Sequence, residues 1–164
     1  MSQESFVIDL RALAKDGRRV QSAVPVERLG RLAESLLEPV GSVEFEFQGE
    51  RDDGGKLYVE LLVRADLVLQ CQRCLEALVW PCEVSNRLLL LRAGDALPDD
   101  ELENDEVDAL EVEPLTDLLA LVEDELLLSL PLVPRHDDCE PPVKAGDDEE
   151  ISPFAVLRQL RGKV

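Results

Sequence analysis

Two short pairs of soft-metal ligands stand out in the chain: Cys71-Gln72-Arg73-Cys74 and His136-Asp137-Asp138-Cys139. Together they supply three thiols and one imidazole, the donor count of a tetrahedral structural zinc. The two-residue spacing inside each pair is right for one ion, and the 61 residues between the pairs must fold back to unite them. The competing reading makes Cys71 and Cys74 small buried apolar residues and His136 a loop residue. Thiol–disulfide exchange is a poor match, because a reactive pair needs a thiolate stabilised at a helix N-terminus, and Cys71–Cys74 lies between two strand-like runs. Cys82, alternating with Trp80 and Val84, reads as a sheet-face residue.

Catalytic chemistry finds little to work with. The chain has a single histidine, no glycine-rich phosphate cradle and no Gly-x-Ser-x-Gly elbow. The carboxylates of Asp99–Asp108 lack the glycine-centred spacing of a calcium loop, and no ordered carboxylate–histidine cluster suggests a metal-dependent nuclease. We therefore expect no catalytic residues and no enzymatic activity. Four cysteines in 164 residues are too few for a disulfide scaffold. With no export signal at Met1–Glu4, the expectation is reduced thiols in the cytoplasm. No window approaches the ~20 apolar residues of a membrane span.

The elements that must position these ligands follow from periodicity. Ser5–Leu10 reads as a strand, Arg11–Arg19 as a basic, glycine-punctuated loop, and Pro25 opens a helix running to Leu37. Val43, Phe45 and Phe47 alternate with Glu44, Glu46 and Gln48, the period of a half-buried strand. Asp52-Asp53-Gly54-Gly55 is turn chemistry, and Leu57–Val63 returns as the partner. Leu67–Leu69 leads into Cys71, while Ala77–Trp80 and Val84–Leu91 continue the sheet. Gly94–Glu113 reads as an acidic loop. Pro114 begins a Leu-rich helix to Leu130, with positions 115, 118, 119, 122, 126 and 130 on one stripe and Leu121, Leu127 and Leu128 off it. Residues 140–150 form an acidic linker before a short C-terminal helix headed by Ser152-Pro153, which turns Phe154, Leu157 and Leu160 to one side. The fold class is α+β: an antiparallel meander with a helix near the N-terminus and the Leu-rich helix late in the chain. Residues 1–139 make one domain, and 140–164 the linker and terminal helix.

The formal net charge of −19 is unevenly placed. Residues 95–150 hold two bases against 21 acids, whereas 1–94 hold 12 against 15, and 151–164 hold three bases and no acid. A halophile's acids would be spread over every surface. Concentrated charge is either a solvated acidic loop or a surface that attracts a cationic partner.

Cys71-Gln72-Arg73-Cys74-Leu75 resembles the Cys-x-Arg-Cys signature of the YceD family, the large ribosomal RNA subunit accumulation proteins. Asp117–His136 is similar to its second block, and Pro153-Phe154-Ala155-Val156-Leu157 to its C-terminal Asn-Pro-Phe-Ala-x-Leu element, with Ser152 in place of the asparagine. The three blocks occur in family order over about residues 65–160. The resemblance implies a bacterial cytoplasmic factor supporting accumulation of large-subunit ribosomal RNA. Two mechanisms suit it. In the first, the acidic surface escorts a basic large-subunit ribosomal protein or docks on a pre-ribosomal particle, anchored by Leu121, Leu127 and Leu128 or by Phe154, Leu157 and Leu160. In the second, ribosomal RNA is bound directly through Arg18, Arg19, Arg28 and Arg31, since phosphate contacts require clustered cations.

Overall fold

The computed structural model describes residues 6–101, 104 and 106–142. It is a two-layer α+β arrangement. Strand β1 (Val7–Ile8) is followed by helix α1 (Leu10–Lys15), strand β2 (Arg19–Pro25), helix α2 (Gly30–Ser35), and strands β3 (Ser42–Arg51), β4 (Leu57–Gln70) and β5 (Ala77–Leu91). Strands β6 (Asp108–Glu111) and β7 (Thr116–Asp117) then lead into helix α3 (Leu118–Ser129). The main sheet has the order β2-β3-β4-β5-β6, and β1 pairs with β7 in a separate two-stranded ribbon.

The alternating pattern of residues 43–47 dictates the layers. Val43, Phe45 and Phe47 point inward with Val59, Leu61, Val63 and Leu67 from β4, and all of them are buried. Leu10, Leu13 and Ala14 of α1, Leu32 of α2, and Leu118, Val122 and Leu126 of α3 close the core on that same side. Gly49 is where α1 comes closest. A Cβ there would lie 2.7 Å from the Ala14 Cα and collide with the Leu13 carbonyl oxygen, so only glycine fits beneath the helix.

Several expectations are corrected. The segment Arg11–Arg19 is not a loop: Asp9 caps α1 by accepting from the Ala12 N–H at 2.9 Å, and Leu10, Leu13 and Ala14 bury at helical spacing. Arg19 already belongs to β2. The helix from Pro25 is broken into one 3-10 turn (Val26–Arg28) and α2, because Leu29 is non-helical at φ −98°, ψ 85°. Ala77–Leu91 is one strand running through Pro81. The missing N–H is tolerated because β6 pairs only with Leu88–Leu91, which leaves β5 an edge strand at Pro81. The acidic stretch is not all loop. It contains a 3-10 turn at Asp99–Glu101 and β6, and β6 joins parallel to β5, so the sheet is mixed rather than a pure meander. The Leu-rich helix starts at Leu118, capped by Asp117. Leu115 therefore falls outside it and is 64% exposed. The short C-terminal helix and most of the linker, residues 143–164, lie outside the described residues.

Apart from the turn at Asp99–Glu101, no helix among the described residues covers the second face of the sheet. By register that face carries Glu44, Glu46, Glu60, Arg64, Asp66 and Glu83. The Asp52–Gly55 turn forms as expected, with Gly55 at φ 86° and the Asp52 carboxylate accepting from the Lys56 N–H at 2.7 Å.

Candidate metal centre

Strands β4 and β5 are joined by a knuckle rather than a simple hairpin. Cys71 N–H donates to the Glu76 carbonyl at 2.9 Å and Leu75 N–H to the Cys71 carbonyl at 2.9 Å. Closing the turn puts Leu75 in the left-handed region at φ 67°, a conformation that costs a branched residue energy and recurs at ligand clamps. The opposite wall comes from the chain after α3, where Pro131 and Pro134 forbid further helix. Its Pro134 carbonyl accepts from Gln72 N–H at 2.8 Å, and Arg73 Nη1 donates to the Cys139 carbonyl at 3.1 Å.

These ties bring the two sequence-distant pairs together. One donor atom each from Cys71, Cys74, His136 and Cys139 lies within 4.8 Å of all the others. Cys71 Sγ is 3.7 Å from Cys139 Sγ, and Cys74 Sγ is 3.3 Å from His136 Nδ1. His136 Nε2 lies 3.2 Å from the Ala77 carbonyl. That contact makes Nε2 the protonated nitrogen and leaves Nδ1 with a free lone pair facing the sulfurs, the outer-shell device of metal-bound histidines.

The electrostatics fit a cation. Burial works to raise the Cys71 thiol, yet hydrogen bonds from the backbone of Cys74, His136 and Arg73 and from the Cys74 side chain hold it at about 5. Cys139 is pushed up to about 11 by burial and by the neighbouring Cys71 and Cys74 sulfurs. The sulfurs around Cys139 disfavour its ionisation, and a divalent ion would remove that repulsion. The cluster could therefore hold a metal ion. Cys82 stands apart from it, buried, with Sγ 3.0 Å from Ser129 Oγ.

The other sequence-derived residues are dispersed. Leu121 and Leu127 are half-buried against the core, whereas Leu128 is 81% exposed. Phe154, Leu157 and Leu160 lie outside the described residues. Arg19 pairs with Glu46 at 3.3 Å, Arg31 with Glu123 and Asp124 at 2.9 and 2.7 Å, and Arg28 stacks on Phe6 at 5.6 Å. Arg18 is exposed.

Sequence reasoning passed over Glu123. It is 8% exposed, accepting from Leu32 N–H at 3.1 Å and from Arg31, and so it locks α3 to α2. It also missed Glu101. That carboxylate, beside Lys56, Tyr58 and Asn104, is held down at about 2.

A two-layer α+β fold with a sulfur–nitrogen cluster of four side chains that could hold a metal, and no helix among the described residues able to cross a membrane, is the class that fold and site define. Comparison with known proteins narrows it. Residues 59–161 match the family model described as large ribosomal RNA subunit accumulation protein YceD. The chain is 31% identical over 151 residues, 83% of each chain, to the large ribosomal RNA subunit accumulation protein YceD of Haemophilus influenzae. It belongs to the YceD family. No solved structure matches it.

Proposed function

We propose that the chain is a non-enzymatic, cytoplasmic factor in large-subunit ribosome biogenesis that holds a basic ribosomal protein against an acidic surface. One observation carries the reading. On the uncovered sheet face Arg19, Arg64 and Arg87 are each spent on a carboxylate, Glu46, Glu83 and Glu50, and Glu44, Glu60 and Asp66 make no ion pair among the described residues. A face that neutralises its cations internally and leaves carboxylates over attracts polycations. The acid-rich stretch 95–150 adds to that field.

Charge alone is weak at physiological salt, where screening falls off over ~8 Å, so an apolar anchor is required. Leu128 with Leu132 and Val133, all exposed, supplies it; Phe154, Leu157 and Leu160, the other anchor expected from the sequence, lie outside the described residues. Leu121 and Leu127, already engaged with the core, contribute only their outer edges. Zinc is the ion this reading assigns to Cys71, Cys74, His136 and Cys139, because a three-sulfur, one-nitrogen set suits it. Its role is to pin the β4–β5 knuckle to the segment after α3. Direct RNA contact through Arg18, Arg19, Arg28 and Arg31 has less support, since three of these four are already engaged.

The test is retention of purified large-subunit ribosomal proteins on the immobilised full chain as salt is raised. Basic proteins should bind at low salt and elute progressively. Failure to retain any basic protein at low salt overturns the proposal.

A further inference from the structure

A cleft of about 920 Å³ lies at the opposite end of β4 from the knuckle. Four cations converge on it: Arg11 and Lys15 from α1, Arg51 from the end of β3, and Arg92 just after β5. The cleft thus gathers four of the chain's 17 basic residues but only three of its 36 acids, Asp9, Glu111 and Glu113. Asp9 is already committed, as its carboxylate caps α1.

The four cations are not neutralised within the cleft. Arg11 is oriented by donation from Nη1 to the Leu90 carbonyl at 2.7 Å. The Arg51 guanidinium lies over Gly55, where an added Cβ would come to 3.5 Å from Nη2. Lys15, Arg51 and Arg92 are exposed and form no ion pair among the described residues, whereas Arg19, Arg31, Arg64 and Arg87 all do. In a chain with a twofold excess of acid, cations left unpaired around one concavity call for an anion from outside.

We propose that this cleft binds the phosphodiester backbone of RNA. Guanidinium forks match phosphate oxygens two at a time, and the lysine adds a point charge. Because no aromatic side chain lines the cleft, bases find no stacking platform, and the contact is with the backbone and indifferent to sequence. The site is separate from the acidic sheet face and goes beyond the protein-client reading: one molecule can hold a polycation on one surface and grip RNA at another.

The experiment is fluorescence anisotropy of the full chain with a labelled oligouridine of about 20 nucleotides at low salt. Binding should weaken with salt on a log–log slope of about −2, as expected for three phosphates neutralised on a single strand. The double variant Arg51→Gln/Arg92→Gln should lose about tenfold or more in affinity, Lys15→Gln less, and Arg18→Gln/Arg19→Gln should bind as the parent does. Circular dichroism confirms that each variant folds. Retention of basic ribosomal proteins should be unchanged in the cleft variants, so the two proposals fail separately. No binding by the parent chain at low salt overturns this one, as does undiminished binding by both cleft variants. Displacement by an equal concentration of inorganic phosphate would reassign the cleft to a small anion.

Discussion

Strand β4 spans 14 residues, about 45 Å at a strand's rise, and its two ends are held by different chemistry. At Gln70 the chain enters a knuckle where four donor atoms crowd within 4.8 Å of one another, with few residues spent. At Leu57 the hold is ionic and spread out: Lys56 and Tyr58 both reach Glu101 at 2.7 Å, folding the acidic stretch onto the sheet. An end that coordinates an ion would tolerate little geometric error and would concentrate its stabilisation in that ion. An ion-paired end tolerates error, and each link in it is worth little. The tight end therefore suits a fixed structural role. The loose end has the cationic cleft beside it.

The sharpest way to break that contrast is Cys71→Ser. If a metal carries the knuckle, protein purified without chelator holds about one zinc per chain and the variant far less. The variant's midpoint of thermal unfolding should fall by on the order of 10 °C. Metal analysis and a thermal scan read both. An unaltered midpoint together with no zinc in the parent would reduce the cluster to buried thiols.

Arg73→Ala probes the same end more gently. Removing the donor to the Cys139 carbonyl loosens one ligand's support without deleting a ligand, so zinc affinity should fall about tenfold while the ratio at saturating zinc holds at parent level. Competition with a colorimetric chelator measures this. A loss of stoichiometry would mean that Arg73 holds the knuckle's fold rather than merely orienting Cys139.

The difference between the ends also governed what the sequence disclosed. The meeting of Cys71, Cys74, His136 and Cys139 was legible because cysteine and histidine are scarce and their spacing carries a mechanism. Strands β3 and β4 were legible because Val43, Phe45 and Phe47 alternate cleanly. Helix α1 was not, although Asp9 as a cap and Leu10, Leu13 and Ala14 at helical spacing were there to read. Its basic residues and Gly17 weighed toward a loop. Glu123 and Glu101 were invisible for another reason: nothing local distinguishes a buried, bonded glutamate from the solvated ones around it. Only the tertiary placement of Leu32, Arg31, Lys56 and Tyr58 makes them structural. The parallel pairing of β6 was hidden likewise, since a short acidic strand has no apolar alternation to announce it.

The smallest effect is expected at the ionic end, and pH exposes it. Bonds from Lys56, Tyr58 and Asn104 hold the Glu101 carboxyl at about 2, below the ordinary glutamate value of 4.5. A carboxyl whose pKa is lower folded than unfolded stabilises the fold above its unfolded value, and that contribution is lost as pH falls through the folded one. The Glu101 tie is therefore complete at neutral pH and fades between about pH 4.5 and 2. Glu101→Gln removes the charge but keeps an acceptor for Tyr58, so it should lower stability slightly at pH 7 and progressively less as pH falls toward 2. Urea unfolding of parent and variant across that range gives the comparison. Parallel curves at every pH would show that the acidic stretch is held to the sheet by packing alone, and the two ends of β4 would then differ less in kind than their side chains suggest.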